Sequence, residues 1–157
     1  MKIVPLNWIL LLFFGASVFF GCSEDELQPV QLGNDYLIFG EHDSECWGEG
    51  CTRIFALTRE NLYYDKNRSW DLSNTNFEKV DDEIFAQVKD LLDEFPEELL
   101  QENEEFIYCN GQCDFGWSII QYSKDGNVKS WKIGFDTPEY LSEFIARMYE
   151  KMLLIPH

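Results

Sequence analysis

The chain has 157 residues, of which 29 are acidic and 12 are Lys or Arg, giving a formal net charge of −17 at pH 7. So acidic a surface repels phosphate backbones and, with no basic cluster to offset it, argues against nucleic acid as a partner and against anionic lipid headgroups. The same charge keeps a protein soluble and steers cationic partners in, and the length suits one domain rather than two.

Lys2 gives a positive start, and residues 3–20 form an apolar run broken only by Pro5, Asn7, Gly15 and Ser17, the pattern of a secretory signal. The run is borderline against the ~20 apolar residues of a spanning helix, and acids rather than a basic stop follow it. Its end resembles a bacterial lipoprotein signal, in which a small residue precedes a cysteine that takes diacylglycerol on its thiol before the leader is cut off. Gly21 and Cys22 match the last two positions of that signal, whereas Phe19 and Phe20 stand where it has Leu or Val and then a small residue. Ordinary cleavage near residues 15–17, or an uncleaved anchor, are the alternatives. The resemblance implies a leader over residues 1–21, lipid on Cys22 as the membrane contact, and an outer-membrane address on the periplasmic or cell-surface side. Residues 23–26 (SEDE) resemble the export signal of Bacteroidetes-type lipoproteins; a solvated tether accounts for the same composition. That acidic tether covers residues 22–34, and Pro29, Gly33 and Asn34 mark its end.

From residue 35 a single domain is expected, reaching residue 157. Residues 35–40 read as a strand, 41–50 as a loop, and 51–58 and 61–65 as strands rich in branched and aromatic side chains. Residues 66–76 are polar loop. Val80, Ile84, Val88, Leu91, Leu92 and Phe95 then recur at helical spacing, started by Asp81 or Asp82 and stopped before Pro96. The second half repeats the plan: strand 105–109, a tight loop, strand 117–123, an Asp125-Gly126 hairpin turn and strand 128–135. A last helix follows, with Asp136 or Thr137 as cap, Pro138 in its first turn, and an apolar stripe of Leu141, Phe144, Ile145, Met148, Tyr149 and Met152. The expectation is an α+β fold: an antiparallel sheet of about six strands in two β-β-β-α halves, with two main amphipathic helices on one face.

Five cysteines are present. If Cys22 carries lipid, Cys46, Cys51, Cys109 and Cys113 remain, an even number that can pair in an oxidising compartment. Cys46 and Cys51 flank a glycine-rich turn, and Cys109 and Cys113 flank a loop containing Gly111, so two local bridges are natural; bridges between the loops are the alternative, and spacing does not choose. Four thiolates also suit zinc, although structural zinc sites favour tighter C-x2-C pairs. A thioredoxin-like role needs C-x-x-C at a helix start, which these spacings lack. His42, surrounded by Glu41, Asp43 and Glu45, reads as either a lone titrating group or a surface residue of an acidic loop. Asp65, Asn67 and Ser69 alternate like the start of a calcium loop, but Trp70 stands where glycine belongs and Asn76 where the bidentate glutamate belongs. Trp47 either packs over its disulfide or stands out as an anchor for a partner.

The stretches 36–40, 48–51, 54–58, 62–65, 109–113, 128–133 and 138–141 together resemble a group of small Bacteroidetes-type outer-membrane lipoproteins with a cysteine-loop domain and no assigned activity. The resemblance implies address and a stable fold, and supplies no catalytic residue and no cofactor. The functional expectation is a cell-envelope module that binds or scaffolds rather than catalyses, taking a protein or cationic ligand on a rim formed by the two cysteine loops. Trp47 would be the anchor there, with Glu45, Glu49 and Asp114 around it. A small carboxylate-based hydrolase and a metal-binding module using the four thiols are the competing readings.

Overall fold

Period-2 alternation puts Leu37 and Phe39 on one face of the first strand and Ile38 and Gly40 on the other, and all four are buried. A strand apolar on both sides has to be covered on both sides. The computed structural model, which describes residues 30–47, 49–103, 105–108 and 115–156, shows both covers. The strands are β1 (Tyr36–His42), β2 (Thr52–Thr58), β3 (Leu62–Asp65), β4 (Phe77–Lys79), β5 (Phe106–Ile107), β6 (Trp117–Lys124) and β7 (Asn127–Ile133). They form one sheet in the order β4-β3-β2-β1-β6-β7-β5, next to helices α1 (Asp82–Val88) and α2 (Glu139–Met152).

The α+β expectation holds, and the sheet differs from it in two respects. It has seven strands, and it is mixed: β5 runs parallel to β7 on the outer edge. Lys132 N–H donates to the Glu105 carbonyl at 2.7 Å and Gly134 N–H to the Ile107 carbonyl at 2.9 Å, so the chain after residue 104 is captured by the far side of β7. The strand missed in the sequence is β4. Val80, taken as the first residue of a helical stripe, instead prolongs β4, its N–H donating to the Leu62 carbonyl at 2.9 Å.

The two β-β-β-α halves are therefore unequal. β1 to β4 make a four-strand meander, whereas β6 and β7 are a hairpin and β5 lies beyond β7. That hairpin turns on Asp125 (φ 54°) and Gly126 (φ 78°), with Lys124 facing Asn127, as a two-residue type I′ loop requires. The first helix is also shorter than its stripe: after Val88 it tightens into a 3₁₀ turn, Lys89–Leu92, and a second 3₁₀ turn, Glu97–Gln101, follows Pro96. Lys151 Nζ donates to the Gln87 carbonyl, the group a continuing α-helix would offer to the Leu91 N–H. In α2, Pro138 takes the N-cap position rather than the first turn, and Ser142 Oγ bonds the Thr137 side chain at 2.6 Å.

Both helices lie on one face. Leu141, Phe144, Met148 and Met152 of α2, Val88 of α1 and Leu91 and Leu92 of the following turn share a core with Leu37, Phe39, Phe55, Leu57, Ile120, Trp131 and Ile133. Ile38, Ile54, Ala56 and Ile119 lie on the opposite face, covered by Leu32 from the segment before β1, Leu72 from the β3–β4 connection and Phe77 of β4. No helix among the described residues is long and apolar enough to cross a membrane.

Candidate functional site

Register determines which loops meet. His42, the last residue of β1, faces Thr52 of β2 on one side and Trp117 of β6 on the other. Ser118 faces Ile133, the last residue of β7, and Ile133 faces Ile107 of β5. The β1–β2 loop, the two ends of the β5–β6 connection and the exit of β7 thus share one end of the sheet. Gly116 seals the seam: its φ is +127°, and a Cβ there would lie 2.4 Å from the His42 carbonyl oxygen.

At this end the β1–β2 loop is fixed from within. Cys46 and Cys51 form a disulfide with Cα atoms 5.3 Å apart. Asp43 N–H donates to the Cys51 carbonyl at 2.8 Å, and the Asp43 carboxylate accepts the N–H groups of Glu45 at 3.0 Å and Cys46 at 3.2 Å. Two of the four thiols weighed as zinc ligands are therefore bonded to each other. Trp47 is 98 % exposed, so it does not pack over the disulfide. Glu45 is exposed beside it, and Glu49 opens a short 3₁₀ turn, Glu49–Cys51. Cys109, Cys113 and Asp114 lie outside the described residues, as does Cys22.

The second cysteine loop does not join paired strands, since β5 pairs with β7 alone and β6 with β1 and β7. β5 and β6 are therefore not the two arms of a hairpin, as the sequence reading expected. On the near side of that loop Tyr108 is anchored by donating its hydroxyl to Glu102 Oε1 at 2.6 Å, and that bond pushes the phenol well above its usual pKa.

Behind the rim stands an aromatic cluster that sequence reasoning missed. The His42 ring lies 4.7 Å from Trp117 and 5.8 Å from Trp70, Trp70 meets Trp117 edge-on at 5.9 Å, and Phe106 meets Trp117 edge-on at 5.8 Å. Lys132 Nζ sits 4.6 Å from the Phe106 centroid and 5.1 Å from that of Trp70, while pairing with Glu105 at 2.8 Å. His42 Nδ1 is 2.8 Å from Thr52 Oγ1. Burial lowers the His42 pKa below its ordinary value, against the opposing charge of Asp43, and the ring forms one wall of the cluster. No group of three or more His, Cys, Asp or Glu side chains among the described residues is placed to hold a metal ion.

Trp70 reaches this cluster because Asp65 ties down the β3–β4 connection. Asp65 is 3 % exposed; its Oδ1 accepts Asn76 N–H at 2.6 Å and Asn67 N–H at 3.2 Å, and its Oδ2 accepts Ser69 N–H at 2.7 Å. The segment resembling a calcium loop is thus a carboxylate-stapled turn whose first would-be ligand is already saturated by backbone donors. Asp65 is also the only buried carboxylate among the described residues, so they hold no buried carboxylate pair for the hydrolase reading.

All the exposed aromatic side chains among the described residues collect at this end: Trp47, Trp70, Phe106, Phe115 and Phe135. Only Trp47 was singled out from the sequence. The others carry no local motif, since they come from four separate segments of the chain, and only strand register brings them together. No family model matches the chain, and no curated protein matches it.

Proposed function

We propose that the chain is a lipid-anchored module of the cell envelope that acts by binding, without catalysis, through the loop end of its sheet. One observation carries the reading: every exposed aromatic side chain among the described residues stands at that end, with Trp47 on the loop closed by the Cys46–Cys51 bridge and Trp70 on the turn held by Asp65. Aromatic anchors on rigid loops lose little conformational entropy on association. Asp43 and Glu45, both exposed there, and the net charge of −17 favour a partner with cationic or hydrogen-bond-donating groups around an apolar spot. Anchoring through Cys22, on the outer-membrane periplasmic or surface side, rests on the apolar run ending at Gly21 and on the resemblance to Bacteroidetes-type lipoproteins. Pairing of Cys109 with Cys113 follows as the remaining local bridge.

Cross-linking on intact cells, comparing wild type with Trp47→Ala, tests the reading. Capture of a defined partner should fall at least about fivefold in the variant, as loss of an interface anchor predicts. Equal capture by a variant that is folded and oxidised would remove this end from the contact surface.

A further inference from the structure

The sheet face away from the helices carries a second feature, separate from the aromatic end. Between the segment before β1 and the β3–β4 connection runs a groove of about 760 Å³, within the range of small-ligand sites. Its floor is apolar and partly aromatic, with Ile38, Tyr36, Leu72 and Phe77 all belonging to the core on that face. Its rim is polar and mixes uncharged side chains with Lys66, Glu78 and Lys79. Asn74, Thr75 and Asn76 line it in succession. The backbone groups of Asn74 and Asn76 are bonded within the turn, while their side-chain amides and the Thr75 hydroxyl have no partner among the described residues. The charges at the lip are already neutralised: Lys66 pairs with Glu78 at 2.8 Å and Lys79 with Asp82 at 2.9 Å.

We infer that this groove is a binding site for a neutral oligosaccharide. A sugar ring presents C–H groups on its faces and hydroxyls on its edge, matching an aromatic floor beneath unengaged amide and hydroxyl groups. A purely apolar ligand would bury those amides without partners, which is unfavourable. An anionic ligand would meet a chain of net charge −17 with both groove lysines already paired, and a cation would find the groove carboxylate, Glu78, already held by Lys66. The inference stands apart from the function proposed above, because none of Trp47, Phe106, Phe115 or Phe135 lines the groove.

The test is calorimetric titration of the protein, purified from membranes in detergent, with neutral tetrasaccharides of glucose, xylose and mannose, and with a polygalacturonate tetramer as acidic control. At least one neutral tetrasaccharide should bind and the acidic one should not. Asn74→Ala combined with Thr75→Val, both at the solvent edge of the loop, should weaken that binding roughly tenfold or more. Trp47→Ala should leave it unchanged, so failure here and failure of the loop-end reading are distinguishable. Tyr36→Ala gives a second, floor-directed loss, with its fold verified by circular dichroism. The inference is overturned if no neutral tetrasaccharide binds, if the acidic control binds as well as the neutral ones, or if the rim double variant binds like wild type.

Discussion

Gly40 is a single residue on which the middle of the sheet depends. A Cβ built there would lie 2.0 Å from the Arg53 carbonyl oxygen and 2.9 Å from Ile54 Cδ1, so any side chain pushes β1 off β2. We predict that Gly40→Ala costs about 3 kcal/mol or more in urea denaturation. Gly50→Ala, with nothing within 4 Å of its would-be Cβ, should stay within about 0.5 kcal/mol of wild type; equal effects at the two positions would refute the steric account. Asp65 matters in a different way. Removing its carboxylate leaves three backbone N–H groups without their charged acceptor, at an expected cost of about 2–4 kcal/mol. Asp65→Ala should also change tryptophan fluorescence, since Trp70 would lose its place against His42 and Trp117. A destabilised variant with an unaltered emission spectrum would show that the staple does not position Trp70. Neither role was legible locally: a glycine inside a strand and an aspartate before a polar loop have many uses, and distances across the sheet select the one that applies.

Among the elements, charge ties α2 to the end of α1 and the 3₁₀ turn that follows it. Lys151, almost fully buried on α2, donates to Asp90 Oδ2 at 2.9 Å and to the Gln87 carbonyl, and Arg147 approaches Asp90 and Glu94 at 3.4 and 3.3 Å. Burial alone would raise the Asp90 pKa, but the hydrogen bond and charge of Lys151 outweigh it and hold the carboxyl below its ordinary value. A carboxyl depressed in the folded state contributes stability above its unfolded pKa, near 3.9, and loses that contribution as pH falls through the folded value. Wild type should therefore be more stable than Asp90→Asn at pH 7, and the gap should narrow progressively as pH falls below about 4. Urea midpoints at pH 7 and pH 3 provide the check, and a gap as large at pH 3 as at pH 7 would assign it to packing rather than charge. The helical stripe from Val80 to Phe95 marked an amphipathic segment correctly, yet not where its α-helix starts or stops. Those limits depend on Leu62 accepting the Val80 N–H and Lys151 reaching Gln87, both contacts between residues far apart in sequence.

For the whole molecule, the proposed envelope address makes a prediction about mass. Purified from membranes, the mature protein should begin at a diacylglyceryl-modified Cys22, and alkylation without prior reduction should label none of Cys46, Cys51, Cys109 or Cys113. Retained Met1, cleavage within residues 15–17 with an unmodified Cys22, or two labelled thiols at Cys109 and Cys113 would each overturn the part it concerns. The α+β class, six of the seven strands as runs, the Asp125-Gly126 turn and the stripe of α2 were legible in the chain, because these follow from side-chain periodicity and from the few residues that tolerate positive φ. The sequence also marked the Cys46–Cys51 loop, since a bridge across six residues is a local matter. Three-dimensional pairing was needed to place β5 parallel to β7 on the edge, to leave β5 and β6 unpaired with each other, and to bring Trp70, Phe106, Phe115 and Phe135 to the same end as Trp47. The physical reason is the same in each case. Strand partners are chosen by competition among long-range hydrogen bonds and by burial on both faces of β1 and β2, and neither leaves a periodic trace in the chain.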